Sequence, residues 1–294
     1  MFTQFLGNYL LQKGIVTQEQ LFHAMSRLSQ THIKLGTIAI HEGLMTANEV
    51  DECLYIQTRE DKRFGEIAVE RGYLTDQQVA DLLSKQTPDY ILLGQTLVED
   101  NVITYEDLER IIFEYKGDTE LYDLELDIEN NEAVYSIIEN FFLLAEMPVK
   151  TENVMYLELM FNSLIRFIGE DFTPLSPMVL EEYPITFGVS QSIFSNMDYI
   201  THIDCDRDTA VGFASRYAKE DFQEFNEYVI AALEDFLNLH NGLFIVNISN
   251  EQANTSIALA PPEITEEGVL IGTNKCVDFP VAYPFGTIHL IICY

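Results

Sequence analysis

Asp235 and Asn238 lie three residues apart in the run Ala232-Leu233-Glu234-Asp235-Phe236-Leu237-Asn238. On a helix that spacing points an acid and a carboxamide the same way, and Ala231, one turn before Asp235, leaves room beside them. Such a pair could serve a docking surface or orient a water; a solvated polar face is the plain alternative. His240 follows Asn238 by two and faces away from it, which reads as a core or helix-end histidine rather than a ligand. Cys53, Cys205, Cys276 and Cys293 fall far apart, with no CxxC and no histidine at zinc spacing, so reduced and mostly buried thiols are expected. No Ser-His-Asp spacing, P-loop or GxGxxG after a strand appears.

The acid and the amide need a helix with one apolar face. Residues 220–241 supply it: Phe222, Phe225, Val229, Ile230, Leu233, Phe236 and Leu237 cover one broad arc that would face a sheet, and Gly242 is the predicted cap. An amphipathic helix over 153–168, stopped by Gly169, precedes it. Strand-like runs are predicted at 184–189, 199–204 and 209–215, the last two joined by a CDRD turn, and again at 243–248, 255–259 and 287–293. Ala-Pro-Pro at 260–262 and a solvated turn at Glu266 and Glu267 separate the later ones. Long helices segregated against mainly antiparallel strands make an α+β domain over 150–294.

The first 116 residues are organised differently. LGNYLLQKGIVTQEQL from Leu6, LGTIAIHEGLMTANEV from Leu35, FGEIAVERGYLTDQQV from Phe64 and LGQTLVEDNVITYEDL from Leu93 repeat at a constant 29 residues. In each unit a short apolar helix should end at Gly14, Gly43, Gly72 or Asn101, the residues best suited to a left-handed cap. Thr17, Thr46, Thr75 and Thr104 then cap a second helix, with Gln20, Glu49, Gln78 or Asp107 in the capping-box position. One helix pair cannot bury its apolar stripe, so neighbouring units must stack into an all-α array. Between the two parts, residues 117–149 carry nine acids and no base; Asp123 to Glu129 alternates like a half-buried strand, and Ser136 to Phe142 is more helix-like, which reads as an ordered acidic connector.

The repeat pattern LGxxLxxxG(I/L)(V/M)TxxxL resembles the N-terminal repeat of type II secretion and pilus ATPases of the MshE type, in which paired motifs can bind cyclic di-GMP. That family places an Arg before LG and a Gln at the helix end. Carried over residue by residue, the resemblance implies a ligand site at Lys34, Gly36 and Gln57 with Arg63, Gly65 and Gln86. Phe5 and Leu92 stand at the cationic position of the other two units. Lys34 departs from the pattern, because Lys lacks the bidentate fork of Arg. A packing or partner-docking array without nucleotide is the alternative.

Residues 150–294 resemble the CheC/CheX class of chemotaxis phosphatases. The likeness rests on the order of elements and on the helix ending Ala-Leu-x-acid-x-x-Asn, here Ala232 to Asn238. It implies that Asp235 salt-bridges a Lys of a phosphorylated receiver domain. Asn238 would enter the receiver site and position the water that attacks the aspartyl phosphate, an aspartyl-phosphate protein phosphatase activity. The catalytic Mg²⁺ would belong to the receiver, so the chain needs no cofactor or metal of its own. The family's acid is usually Glu and its preceding residue Ser, where this chain has Asp235 and Ala231. Leu159 stands three before Asn162, so the first helix offers no second pair, as in CheX rather than two-site CheC. CheX-like domains often pair through their sheets, which implies a homodimer through 150–294.

Composition narrows the partners. The net charge is −32, and residues 117–294 alone hold six Lys/Arg against thirty Asp/Glu. Nucleic-acid recognition begins with a basic footprint, so DNA and RNA are not expected partners. No stretch approaches the roughly 20 apolar residues of a membrane helix, and no signal-peptide pattern opens the chain. The combined expectation is a cytoplasmic two-component signalling protein that binds a phosphorylated receiver, with a non-catalytic adaptor and a cyclic di-GMP-responsive regulator as the rival readings.

Overall fold

The computed structural model describes residues 2–84, 89–118, 131–144, 150–194, 199–251 and 257–293. They form two compact units, residues 2–133 and 134–294. The first unit holds helix pairs at the predicted period: α1 (Phe2–Gln12) with α2 (Gln18–Arg27), α3 (Leu35–His41) with α4 (Ala47–Gln57), α5 (Phe64–Glu70) with α6 (Asp76–Ser84), and α7 (Asp89–Glu99) with α8 (Tyr105–Asp118). Gly14, Gly43 and Gly72 take φ of +66°, +68° and +79°, and Asn101 takes +58°, so every first helix ends on a left-handed residue. Thr17 and Thr46 make reciprocal capping boxes with Gln20 and Glu49. Thr75 with Gln78 and Thr104 with Asp107 make the same pair of bonds.

The first glycine of a unit has a packing role. A Cβ on Gly36 would sit 2.9 Å from Val50 of α4, and one on Gly65 would sit 3.0 Å from Val79 of α6. The two helices of a pair can approach closely only because this side chain is absent. The order of packing is not the order of sequence. Helices α1 and α2 both pack on α7, while α7 and α8 pack on α3 and α4, so the fourth repeat lies between the first and the second. The reason lies in α7, whose residues Tyr90, Ile91, Leu93, Gln95, Thr96 and Leu97 are all buried; a helix apolar on more than one side must be covered on more than one side. Tyr115 meets Tyr9 and Tyr90 with ring centroids 5.4 and 5.9 Å away, and Arg27 pairs with Asp100 across the same contact.

The second unit begins within α9 (Asn131–Leu144), whose Phe141 and Phe142 rings lie against Phe279. The chain continues through α10 (Thr151–Phe167), β1 (Thr173–Pro174), β2 (Met178–Phe194), β3 (Tyr199–Asp204), α11 (Arg207–Ala218), α12 (Glu227–Glu251), β4 (Ala258–Leu259), β5 (Glu263–Tyr283) and β6 (Gly286–Cys293). The sheet is antiparallel in the order β1-β5-β6-β3-β2-β4. Strand β5 also pairs with β2, so β2, β3, β6 and β5 close into a ring. Helix α12 packs on α10, α11, β2 and β3. The other side of the strands buries Tyr183, Ile185, Leu270 and Ile291 around Cys276 and Cys293.

Several predicted elements change. Residues 209–215 are helix α11, not a strand, because Asp206 accepts from the Thr209 amide at 2.7 Å and starts a turn that buries Ala210, Phe213 and Ala214 at helical spacing. Gly242 does not end α12; Phe244 and Ile248 extend its buried stripe, so 243–248 is helix rather than strand. The helix starts at Glu227 instead of 220, since Asn226 caps it through the amides of Tyr228 and Val229. Glu266 and Glu267 lie within β5, which runs on through the predicted turn; Glu267 has φ +51°. The cysteine expectation is corrected too: Cys276 and Cys293 are directly opposed in the β5–β6 ladder and form a disulfide, while Cys53 and Cys205 are buried thiols. Residues 227–249 of α12 match a membrane-crossing helix by length and composition only; here Val229, Leu233, Phe236 and Leu237 are buried against neighbouring elements of the unit. The alternating run at 123–129 lies outside the described residues.

Two glycines test these packing arguments in opposite directions. Gly36→Ala gains helix propensity but drives a methyl into stiff neighbours, Val50 and the Phe64 ring at 3.0 Å, and should cost about 1–3 kcal/mol. Gly242→Ala meets nothing within 4 Å inside a helix and should stabilise by about 0.5–1 kcal/mol. Calorimetry of the two variants reads both signs, and a destabilised Gly242→Ala would show that α12 is not continuous there.

Candidate functional site

Helix α12 is two-faced. Val229, Leu233, Phe236, Leu237, His240, Phe244 and Ile248 form its buried stripe, and Ala231, Asp235 and Asn238 are exposed together on another side. Asp235 is held from the neighbouring helix, where the Tyr217 hydroxyl donates to its Oδ2 at 2.6 Å. The Tyr217 ring meets Phe213 and Phe236, and burial together with the bond to Asp235 pushes its phenol well above the usual tyrosine range. Tyr217 therefore stays a donor at any physiological pH. The other carboxylate oxygen of Asp235 is left for a partner.

Asn238 is held from beneath. Gln191 on β2 donates through Nε2 to Asn238 Oδ1 at 2.8 Å and to the main-chain oxygen of Ala260 at 2.8 Å. Its Oε1 accepts from Asn241 Nδ2 at 2.8 Å, and the same nitrogen donates to Thr201 Oγ1 at 2.8 Å. Asn241 Oδ1 accepts from the Tyr156 hydroxyl of α10 at 3.0 Å, and Thr201 donates to the main-chain oxygen of Gln191 at 3.1 Å. Gln191, Thr201, Asn241 and Tyr156 are buried. Thus an exposed carboxamide is fastened to a buried polar chain that ties β2, β3, α10 and α12 together.

Asp235, Asn238 and Ala231 were legible from the sequence; their supports were not singled out. Gln191 did leave a signal, being a polar residue between Val189 and Ile193 on the inward register of a strand. Tyr217 lies just beyond the strand-like run 209–215, and it is helix α11 that brings its hydroxyl to Asp235. His240 is fully buried, with its ring 4.6 Å from that of Tyr156 and neither nitrogen hydrogen-bonded. It faces the core, on another side of α12 from Asn238.

The second predicted set lies in the repeats. Leu35 packs on Gly65, and Phe64 packs on Gly36, so Lys34 and Arg63 flank one helix–helix contact. Lys34 is committed: its Nζ pairs with Glu99 at 2.7 Å, and its amide donates to Gln95 at 2.6 Å. Arg63 is exposed, with its amide capped by Glu66. Gln57 donates to the Lys62 carbonyl at 3.2 Å, and Gln86 lies outside the described residues. Among the described residues no cluster of three or more His, Cys, Asp or Glu is arranged to hold a metal.

No protein-family model and no curated protein sequence matches this chain. Solved structures are similar over about half of it. A CheC-like superfamily protein from Shewanella sp. PV-4 is 12% identical, with a TM-score of 0.43 over 49% of this chain and 98% of its own. The chemotaxis protein CheX from Desulfovibrio desulfuricans is 13% identical, with a TM-score of 0.42 over 49% and 99%. CheX in a complex with CheY, BeF₃ and Mg²⁺ from Borrelia burgdorferi is 17% identical, with a TM-score of 0.37 over 47% and 94%.

The buried imidazole next to the site gives a pH test. Burial lowers the His240 pKa from 6.5 to about 3. Between those values the unfolded chain binds a proton that the native chain refuses, so stability is full above the unfolded pKa and falls as pH drops. This group should contribute a slope of about 1.4 kcal/mol per pH unit across that window. Denaturant melts at pH 7 and pH 5 should show the difference, and His240→Met should remove this part of it.

Proposed function

We propose that residues 150–294 dock a phosphorylated response-regulator receiver domain and promote hydrolysis of its aspartyl phosphate. The observation that carries this is the exposed Asp235–Asn238 pair on α12, each member held by a hydrogen bond from another element. A carboxylate with one oxygen bonded to Tyr217 keeps the other for a Lys of the receiver. A carboxamide whose oxygen is engaged from beneath keeps its amide protons to hold a water in line with phosphorus. The reaction is attack by that water on phosphorus, which breaks the acyl phosphate bond and returns the free aspartate and inorganic phosphate. Catalysis of this kind is positioning rather than covalent chemistry. The Mg²⁺ belongs to the receiver, and the acidic surface suits a partner that presents a cation. We place the encounter in the cytoplasm.

A non-catalytic adaptor is the second reading, favoured by the shorter reach of Asp235, about 1.5 Å less than a Glu. A cyclic dinucleotide at Lys34 and Arg63 finds less support, because Glu99 already neutralises Lys34 and close packing uses Gly36 and Gly65. For the proposed homodimer, Met178, Val269 and Ile271 offer exposed apolar side chains on β2 and β5. Sedimentation at micromolar concentration should give twice the 33.7 kDa chain mass, and a monomer would remove that element.

The decay of acetyl-phosphate-labelled CheY-type receivers separates enzyme from adaptor. Asn238→Ala should abolish acceleration and leave receiver affinity nearly intact. Asp235→Asn should weaken affinity roughly ten- to hundredfold, as loss of a charge-assisted hydrogen bond does. Asp235→Glu should match or exceed the natural rate. A wild type that binds the phosphorylated receiver without hastening its decay, with acceleration gained by Asp235→Glu, identifies an adaptor.

A further inference from the structure

We infer that Gln191 is a positioning residue that fixes which way the Asn238 carboxamide faces; this rests on the receiver-phosphatase reading of the Asp235–Asn238 site. A carboxamide on an exposed helix face can turn by half a revolution at little cost, exchanging its oxygen and its nitrogen. Its two ends do opposite things to a water. The arrangement beneath Asn238 removes that freedom.

The argument starts from one group whose polarity is fixed by its chemistry. The main-chain oxygen of Ala260 can only accept, so the Gln191 atom 2.8 Å from it is the amide nitrogen. The second proton of that nitrogen points to Asn238, 2.8 Å away, and requires the oxygen of Asn238 there. On its other side Gln191 presents Oε1, which requires the nitrogen of Asn241. That nitrogen's second proton goes to Thr201, whose own proton is given to the Gln191 carbonyl, and the Asn241 oxygen then accepts from Tyr156. Every donor in the chain meets an acceptor. Turning any one amide would set oxygen against oxygen or proton against proton.

Burial makes the setting firm. Gln191 is 1% exposed and Asn241 0%, so water cannot repair a mismatch. The Ala260 carbonyl is itself anchored, because its own amide donates to Ser192 of β2 at 3.0 Å. Polarity therefore runs outward from the sheet edge to the helix surface. Asn238 is left with its oxygen turned inward and its Nδ2 toward the receiver.

Gln191→Glu tests this with almost no change of volume. A glutamate still accepts from Asn241 and carries at most one proton, which the Ala260 oxygen requires, so none is left to donate to Asn238 and Asn238 must turn its nitrogen inward. In the full chain labelled with ¹⁵N-asparagine, the Asn238 side-chain amide pair, assigned by its loss in Asn238→Ala, should exchange with water freely in the wild type. It should become protected in Gln191→Glu. With an acetyl-phosphate-labelled CheY-type receiver, kcat should fall at least tenfold while KM stays within twofold, a split that loosened packing alone would not give. Gln191→Met, which carries no buried charge, should also lower kcat without changing KM and leave the Asn238 amide pair unprotected. An Asn238 pair unchanged in Gln191→Glu, or an unchanged kcat in both variants, overturns the inference. Absence of acceleration by the wild type would instead overturn the reading of the site, and the amide signal would still decide whether Gln191 sets the Asn238 orientation.

Discussion

The buried chain of hydrogen bonds from Ala260 through Gln191, Asn241 and Thr201 to Tyr156 is the constraint on which the second unit turns. Apolar side chains alone would let α12 slide along the sheet, because one Leu or Phe contact resembles the next. Sliding by a turn, about 5.4 Å, would strand buried amides without partners. Only one placement satisfies Gln191, Asn241 and Thr201 together. The same placement puts Asp235 beside Tyr217 and leaves Asn238 exposed above the network. Position of the surface pair and satisfaction of the core are one event.

The first unit reaches its order by a different route. Each repeat is built locally, by a left-handed stop and a threonine cap, and in the second, third and fourth a glycine lets the two helices touch. Nothing in those local devices says which repeat packs on which. That is decided by α7, buried on more than one side, which draws the first and second repeats to the fourth. The cation singled out in the second repeat acquires its partner in the same way. Glu99, contributed by the fourth repeat, pairs with Lys34.

Short apolar runs are ambiguous between strand and helix. A short run such as 209–215 or 243–248 contains too few residues for a period of two and a period of 3.6 to be told apart. In the first case Asp206 tips the balance by capping a helix, and in the second the preceding turns of α12 simply continue. Gly242 looked like a stop because glycine favours the left-handed region, yet a glycine inside a helix is tolerated where burial on either side supports it. The Cys276–Cys293 pair could not be seen at all, since 17 residues separate its members and only the β5–β6 register opposes them.

By itself the sequence determined the features that depend on a few neighbouring residues. These are the 29-residue repeat and its caps, the amphipathic face of α12, and the shared direction of Asp235 and Asn238. Their physics is local, because cap geometry and helical spacing act within about one turn. Tertiary structure alone decided the closed ring of strands, the packing order of the repeats, and the partners of the functional side chains. Gln191 meets Asn238 across 47 residues and Tyr217 meets Asp235 across 18. Such contacts follow from which arrangement buries the most apolar surface while leaving few buried polar groups unpaired, and that condition belongs to the whole fold.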